Sequence, residues 1–221
     1  MKDLTVFIAL CSFPVAFFVL STYGTVFFAT TVSFTVMLAF GFIALLAIKI
    51  WGYSPTDPEG VALFDENLTV KGLFLSAGLG FLVYFLAVLT ATIEHGGFIY
   101  VPKPGIPLMS EAEGYGKLLG DSLYQFTLVA PAEETLKIAG IYALHGRFGV
   151  PGTSLDEVAA VIPPIFLWAV FHTIVAGFTA SMVVFAFLAG LVWYMGMRTT
   201  NSILSPIIAH ATYNTLVVLL S

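Results

Sequence analysis

Charge is what this sequence has least of. Only 10% of its 221 residues are Asp, Glu, Lys or Arg, whereas an ordinary soluble domain carries about a quarter. The eight basic residues are scattered and the net charge is −5, so there is no basic run to suggest a nucleic-acid surface and no nucleic-acid partner is expected. Cysteine is nearly absent too. The lone Cys11 permits neither an intramolecular disulfide nor a cysteine-based zinc site, and it is expected to face lipid or core. No H-E-x-x-H zinc motif is present, and neither Ser181 nor Ser205 sits in a nucleophile-elbow pattern.

What fills the chain instead is apolar residues, 59% of the total, with a mean hydropathy of +0.99. They fall into long runs at about 4–22, 26–50, 71–93, 121–144, 158–197 and 202–220. Runs of this length span a hydrocarbon core about 30 Å thick. The 158–197 run is too long for one helix rising about 1.5 Å per residue, and it is expected to divide near Gly177–Ser181. The expected fold is therefore an all-α, multi-pass transmembrane helical bundle of about seven spans. It forms a single domain over 1–221, with its functional core at 121–220. The first run lacks a small-x-small cleavage signal and reads as a retained span rather than a signal peptide. Residues 51–69, rich in Pro, Gly and acids, read as an aqueous loop. Residues 94–118 read either as an interfacial flap or as a plain connection.

Orientation follows from the basic residues. With the N-terminus inside, Lys2, Lys49, Lys71, Arg147 and Arg198 lie on the inner side, and Lys103 and Lys117 outside. This bias predicts N-in, C-out.

Against that background the stretch "LVAPAEETLKIAG" (128–140) stands apart, because Glu133, Glu134 and Lys137 lie inside a hydrophobic span. Each charge at mid-membrane costs roughly 2.5–3.5 kcal/mol. Lys137 is i+4 from Glu133 and i+3 from Glu134, within pairing reach of both. One ion pair needs one acid, so the second acid calls for another explanation. Pro131 removes a backbone hydrogen bond just upstream and is expected to bend the helix there, opening room for water beside a carboxylate. His172 lies well inside span five, and His210 and Asn214 are four residues apart on one face of span seven. Counted from the inner end of each span, Glu133, His172, His210 and Asn214 lie roughly 12–21 Å deep, near the middle of the membrane.

A carboxylate, two imidazoles and a carboxamide at one depth suit hydrolysis by activated water. The carboxylate takes a proton from water and a histidine orients that water, while a second histidine and the Asn donate hydrogen bonds to a developing oxyanion. A zinc site built from two His and a Glu is a lesser alternative, and no metal or cofactor is expected. His95 and His145 lie near span ends and are expected at the interface. Asp156 and Glu157 are expected to open span five, where acids suit a helix N-terminus.

"EETLK", a histidine in the next span and "SILSPIIAHATYN" resemble the CAAX protease and bacteriocin-processing (CPBP) family of intramembrane glutamate proteases. That family pattern is a Glu pair followed by a basic residue, then F-x-x-x-H, then H-x-x-x-N or H-x-x-x-D. Here the basic residue gives E-E-x-x-K, a spacing similar to PrsW-type proteases, and Trp168 replaces the Phe four residues before His172. The resemblance implies a glutamate-type intramembrane endopeptidase with Glu133 as the base, helped by His172, and with His210 and Asn214 as the oxyanion site. It gives Glu134, Lys137 and Trp168 supporting roles. The implied partners are the lipid bilayer and a membrane-associated peptide or protein substrate, with a prenylated CAAX-type substrate among the candidates. A prokaryotic plasma membrane is the expected location. Two readings compete: a non-catalytic scaffold or bacteriocin-immunity protein with a family-like core, and a proton-coupled transporter in which Glu133 and His172 relay protons. A scaffold has no need of Glu133, and a transporter of inverted-repeat design would show internal symmetry.

Overall fold

The computed structural model describes residues 26–50, 68–95, 115–148, 154–176 and 180–220. The run at 4–22, Cys11, the loop at 51–67 and the stretch 96–114 lie outside the described residues. So do the side chains of His95, Lys117, His145, Arg147, Asp156 and Glu157.

Among the described residues every regular element is helical. In chain order these are α1 (Val26–Ile50), α2 (Val70–His95), α3 (Tyr115–Tyr124), a π-helical turn (Gln125–Val129), α4 (Ala130–Phe148), α5 (Ser154–Ala176), α6 (Ala180–Thr200) and α7 (Leu204–Leu220). The long apolar run does divide, with α5 ending at Ala176 and α6 beginning at Ala180. The helix that carries the Glu pair starts earlier than its apolar stretch implies, at Tyr115 rather than about 121, because α3, the π turn and α4 follow one another without a break.

The π turn has a local cause. Pro131 has no N–H, and in α-helical register its ring would crowd the carbonyl four residues back. Widening the turn relieves that contact. Ala130 N–H bonds to the Gln125 carbonyl, five residues earlier, and the Thr127 hydroxyl donates to the Leu123 carbonyl at 2.7 Å. Where a bend is expected at Pro131, the helix carries one wide turn just upstream.

Polarity runs opposite to that of a water-soluble fold. Asp121, Gln125, Glu133, Glu134, Lys137, His210 and Asn214 are all buried, while Phe74, Phe85 and Ile93 on α2 are exposed at 72%, 64% and 73%. An apolar exterior of this extent is suited to lipid rather than water. By length and apolarity, two of the described helices qualify outright as membrane spans, Val70–Ile93 and Ala180–Thr200; shorter apolar stretches run over Phe34–Leu46, Val158–His172 and Leu204–Leu220. The helix bearing the Glu pair is not among them, as expected of a helix that turns a polar face into the bundle.

α4 packs on α1, α5 and α7, and α7 packs in turn on α2, α3 and α6. Glycines permit the closest approaches. A Cβ at Gly41 would overlap the Thr135 side chain, and one at Gly80 would overlap the Ala209 carbonyl and Thr212, so α1–α4 and α2–α7 meet nearly backbone to backbone. α6 and α7 are joined by a tight turn. Asn201 adopts φ 53°, a left-handed conformation that Asn tolerates, and Ser202 Oγ accepts from Leu204 N–H at 3.2 Å. Ser76 on α2 donates to the buried Ser205 Oγ at 2.7 Å, tying α2 to the start of α7.

Two substitutions in α2 separate packing from propensity. Gly78 has open space around its missing Cβ whereas Gly80 does not. Gly80→Ala is expected to cost about 1–3 kcal/mol through overpacking, and Gly78→Ala to leave stability unchanged or raise it by about 0.5–1 kcal/mol. Melting temperatures of the two variants in one detergent check this.

Candidate active site

The site lies where α4, α5, α6 and α7 converge. Glu133, Glu134 and Lys137 come from α4, Trp168 and His172 from α5, Trp193 from α6, and His210 and Asn214 from α7. Consecutive residues point about 100° apart on a helix, so Glu133 and Glu134 meet different neighbours.

Glu134 is the centre of an ionic knot. Its Oε1 lies 2.7 Å from Lys137 Nζ and 2.7 Å from His210 Nδ1. Because a carboxylate oxygen accepts, His210 donates from Nδ1, which leaves Nε2 facing the other way. Lys137 Nζ also sits over the Trp168 ring, 3.7 Å from its centroid, and 4.8 Å from that of Trp193, so two π faces share the ammonium. Trp193 stacks on His210 with ring centroids 4.2 Å apart and planes at 16°. The imidazole is thereby fixed both in its plane and along its edge.

Glu133 occupies the outer edge of this knot. Trp168 Nε1–H donates to Glu133 Oε2 at 2.7 Å. His172 Nδ1 lies 2.8 Å from the Trp168 carbonyl, and a carbonyl can only accept, so Nδ1 carries the proton and Nε2 of the neutral ring carries a lone pair. That Nε2 is 3.8 Å from Glu133 Oε2, and His210 Nε2 is also 3.8 Å from the same oxygen. These separations exceed a direct hydrogen bond. Three polar atoms therefore converge on one space without satisfying one another. Exposure is graded across the set: the His172 and Glu133 side chains retain 19% and 11%, and Glu134 and Lys137 only 3% and 4%. Glu133 and His172 form the accessible edge, and Glu134, Lys137 and His210 the interior.

Asn214 is buried one helical turn beyond His210, and its Nδ2 donates to Gln125 Oε1 on the π turn at 2.9 Å. Among the described residues, no group of three or more His, Cys, Asp or Glu is placed to hold a metal ion.

Of the residues singled out as site candidates, Glu133, Glu134, Lys137, Trp168, His172 and His210 meet here, and Asn214 follows one turn beyond His210 on the same helix. Of the two acids within reach of Lys137, the structure pairs Glu134 and leaves Glu133 over. Lys137 and Glu134 are thus joined to His210. Two participants escaped sequence reading. Gln125 is a lone amide in an apolar helix, a weak signal by itself. Trp193 is one aromatic among many in α6, with nothing in its spacing to distinguish it.

An inside-out helical bundle enclosing a carboxylate–imidazole cluster is a membrane-embedded protein with a built polar centre. Residues 116–216 match the family model described as Rce1-like, type II CAAX prenyl endopeptidase, and over that segment the chain is similar to this family. The matched segment runs from α3 to α7 and contains every site residue named above. Among curated proteins and solved structures, nothing matches the chain.

The ionic knot makes its own prediction. Removing one partner of a buried pair costs about 3–5 kcal/mol, whereas replacing both is often nearly neutral. Lys137→Met is expected to lower stability by that amount, and Lys137→Met combined with Glu134→Gln to recover most of it, as read from thermal unfolding in detergent.

Proposed function

We propose that this protein is a glutamate-type intramembrane endopeptidase that hydrolyses a peptide bond in a membrane-associated, prenylated CAAX-type substrate. The observation that carries the reading is the convergence of His172 Nε2 and His210 Nε2 on Glu133 Oε2, each at 3.8 Å. A water oxygen placed about 2.8 Å from Glu133 Oε2 and His172 Nε2 donates one proton to Glu133 and the other to the His172 Nε2 lone pair, which leaves His210 Nε2–H for the substrate carbonyl. Its own lone pair then points away from both, toward an incoming carbonyl carbon.

As the water attacks, Glu133 takes its proton and the amide carbonyl becomes an oxyanion. His210 Nε2–H and the second Nδ2–H of Asn214 stabilise that charge. Glu133 then returns the proton to the departing amine, the C–N bond breaks, and a carboxylic acid, which keeps the second proton of the water, and an amine are released. For His210 to donate from both nitrogens it carries a positive charge. Two carboxylates, one ammonium and one imidazolium sum to zero, so the set is neutral as a whole inside the membrane. Trp168 holds the Glu133 carboxylate in place, and Glu134 with Lys137 holds His210.

The proposal extends to the whole chain. The single domain crosses a membrane about seven times in N-in, C-out orientation, with its catalytic core at 121–220. A prokaryotic plasma membrane is the host, and the partners are the lipid bilayer and the lipidated peptide. The prenyl group fits the family description for residues 116–216 and the apolar exterior, since a lipid-anchored substrate reaches the site from within the bilayer.

Cleavage of a panel of fluorogenic peptides, prenylated and plain, by purified protein in detergent tests this. Wild type is expected to prefer the prenylated peptide. Glu133→Ala and His172→Ala are expected to be inactive, and Asn214→Ala to lose about 100- to 1,000-fold in kcat as one oxyanion donor is removed. A chelator is expected to have no effect. Full activity in Glu133→Ala would show that the base is assigned wrongly. No cleavage of any peptide by folded wild-type protein would favour the scaffold or immunity reading, and loss of activity with chelator would favour a metal.

A further inference from the structure

We propose that Gln125 is a positioning residue that sets the orientation of the Asn214 carboxamide; this rests on the reading of Asn214 as an oxyanion donor. Gln125 is 1% exposed and Asn214 6%, and their side chains meet at 2.9 Å, with Asn214 Nδ2 donating to Gln125 Oε1. A primary amide inside a membrane bundle is costly unless it is bonded, and an apolar side chain would fill the same place without that cost. What Gln125 adds is direction. A carboxamide can present either its donor or its acceptor end to a ligand, and an oxyanion is served only by the donor. With one Nδ2 hydrogen on Gln125 Oε1, the second is held at a fixed angle to it. Rotating the carboxamide would bring two carbonyl oxygens together.

The backbone adds a second constraint. Gln125 opens the π turn and its carbonyl accepts from Ala130 N–H, while Glu133 lies in the first turn of α4, just beyond Pro131. Gln125 and Glu133 therefore belong to one continuous stretch of helix. The wide turn alters the angular offset between them, and the upstream side chain bonds α7 at Asn214 while Glu133 faces His172 and His210. One helix thus carries the base and, through Gln125, registers the oxyanion donor on the neighbouring helix against it. Pro131 acts in this arrangement as the cause of the turn.

The test uses the full-length protein and the prenylated fluorogenic peptide that wild type cleaves fastest. Four forms are compared: wild type, Gln125→Met, Asn214→Ala and the double variant, each with its melting temperature. Gln125→Met is close in volume and removes a polar group from the bundle, and Gln125→Leu serves if the Met variant does not fold. The expected result is a tenfold or greater loss of kcat in Gln125→Met with KM within twofold of wild type, and no further loss when Gln125→Met is added to Asn214→Ala. Wild-type kcat in Gln125→Met, alongside a defective Asn214→Ala, would overturn the proposal while leaving the oxyanion reading intact. An equal loss in both backgrounds would overturn it as well, by showing that Gln125 acts elsewhere. Undiminished kcat in Asn214→Ala would instead remove the reading on which the proposal rests.

Discussion

Burying ionised groups where water is scarce is the constraint on which the rest of this structure depends. A single Glu134 oxygen lies 2.7 Å from both Lys137 Nζ and His210 Nδ1, and the two tryptophans supply π faces to the ammonium. The knot joins α4 to α7 and draws α5 and α6 around it. Each partner is costly alone in a low-dielectric interior, and together they cancel. A buried ion pair is weak evidence for stability, because an apolar core does as well. It does, however, fix which edge of His210 faces the accessible side of the site.

Division of labour between two adjacent glutamates follows. The helix points them in different directions: Glu134 inward to the knot, and Glu133 toward the graded opening with His172. Among the described residues Glu133 accepts a hydrogen bond from Trp168, and two imidazole nitrogens lie 3.8 Å from the same oxygen. Such a partly open edge is the expected trade of stability for function at a built site. The surrounding scaffold accommodates it by close packing at Gly41 and Gly80, which leaves the exterior free to be apolar.

Much of this was legible in the sequence, for identifiable reasons. Periodicity of 3.6 puts Lys137 within reach of both acids and His210 one turn from Asn214, so the polar set could be assembled from spacing and depth. The division expected in the 158–197 run corresponds to two helices, one ending at Ala176 and the next beginning at Ala180. The choice of Glu134 over Glu133 as the Lys137 partner was not legible, because i+3 and i+4 are both neighbours and α7 decides between them. Pro131 pointed to a bend where the structure has a π turn, because the two have the same local signature. Gln125 and Trp193 gain their meaning only from what α7 brings next to them. The expected first span, at 4–22, falls outside the described residues.

The central claim is that Glu133 performs the chemistry while Glu134 holds the site together, and the isosteric pair Glu133→Gln and Glu134→Gln tests it most directly. Each variant is purified in the same detergent and scored for melting temperature and for peptide cleavage. The account predicts that Glu133→Gln melts at or above wild type without cleaving, and that Glu134→Gln melts well below wild type because Lys137 and His210 lose their counter-charge. Cleavage by Glu133→Gln, or a melting temperature lowered more by Glu133→Gln than by Glu134→Gln, would contradict it.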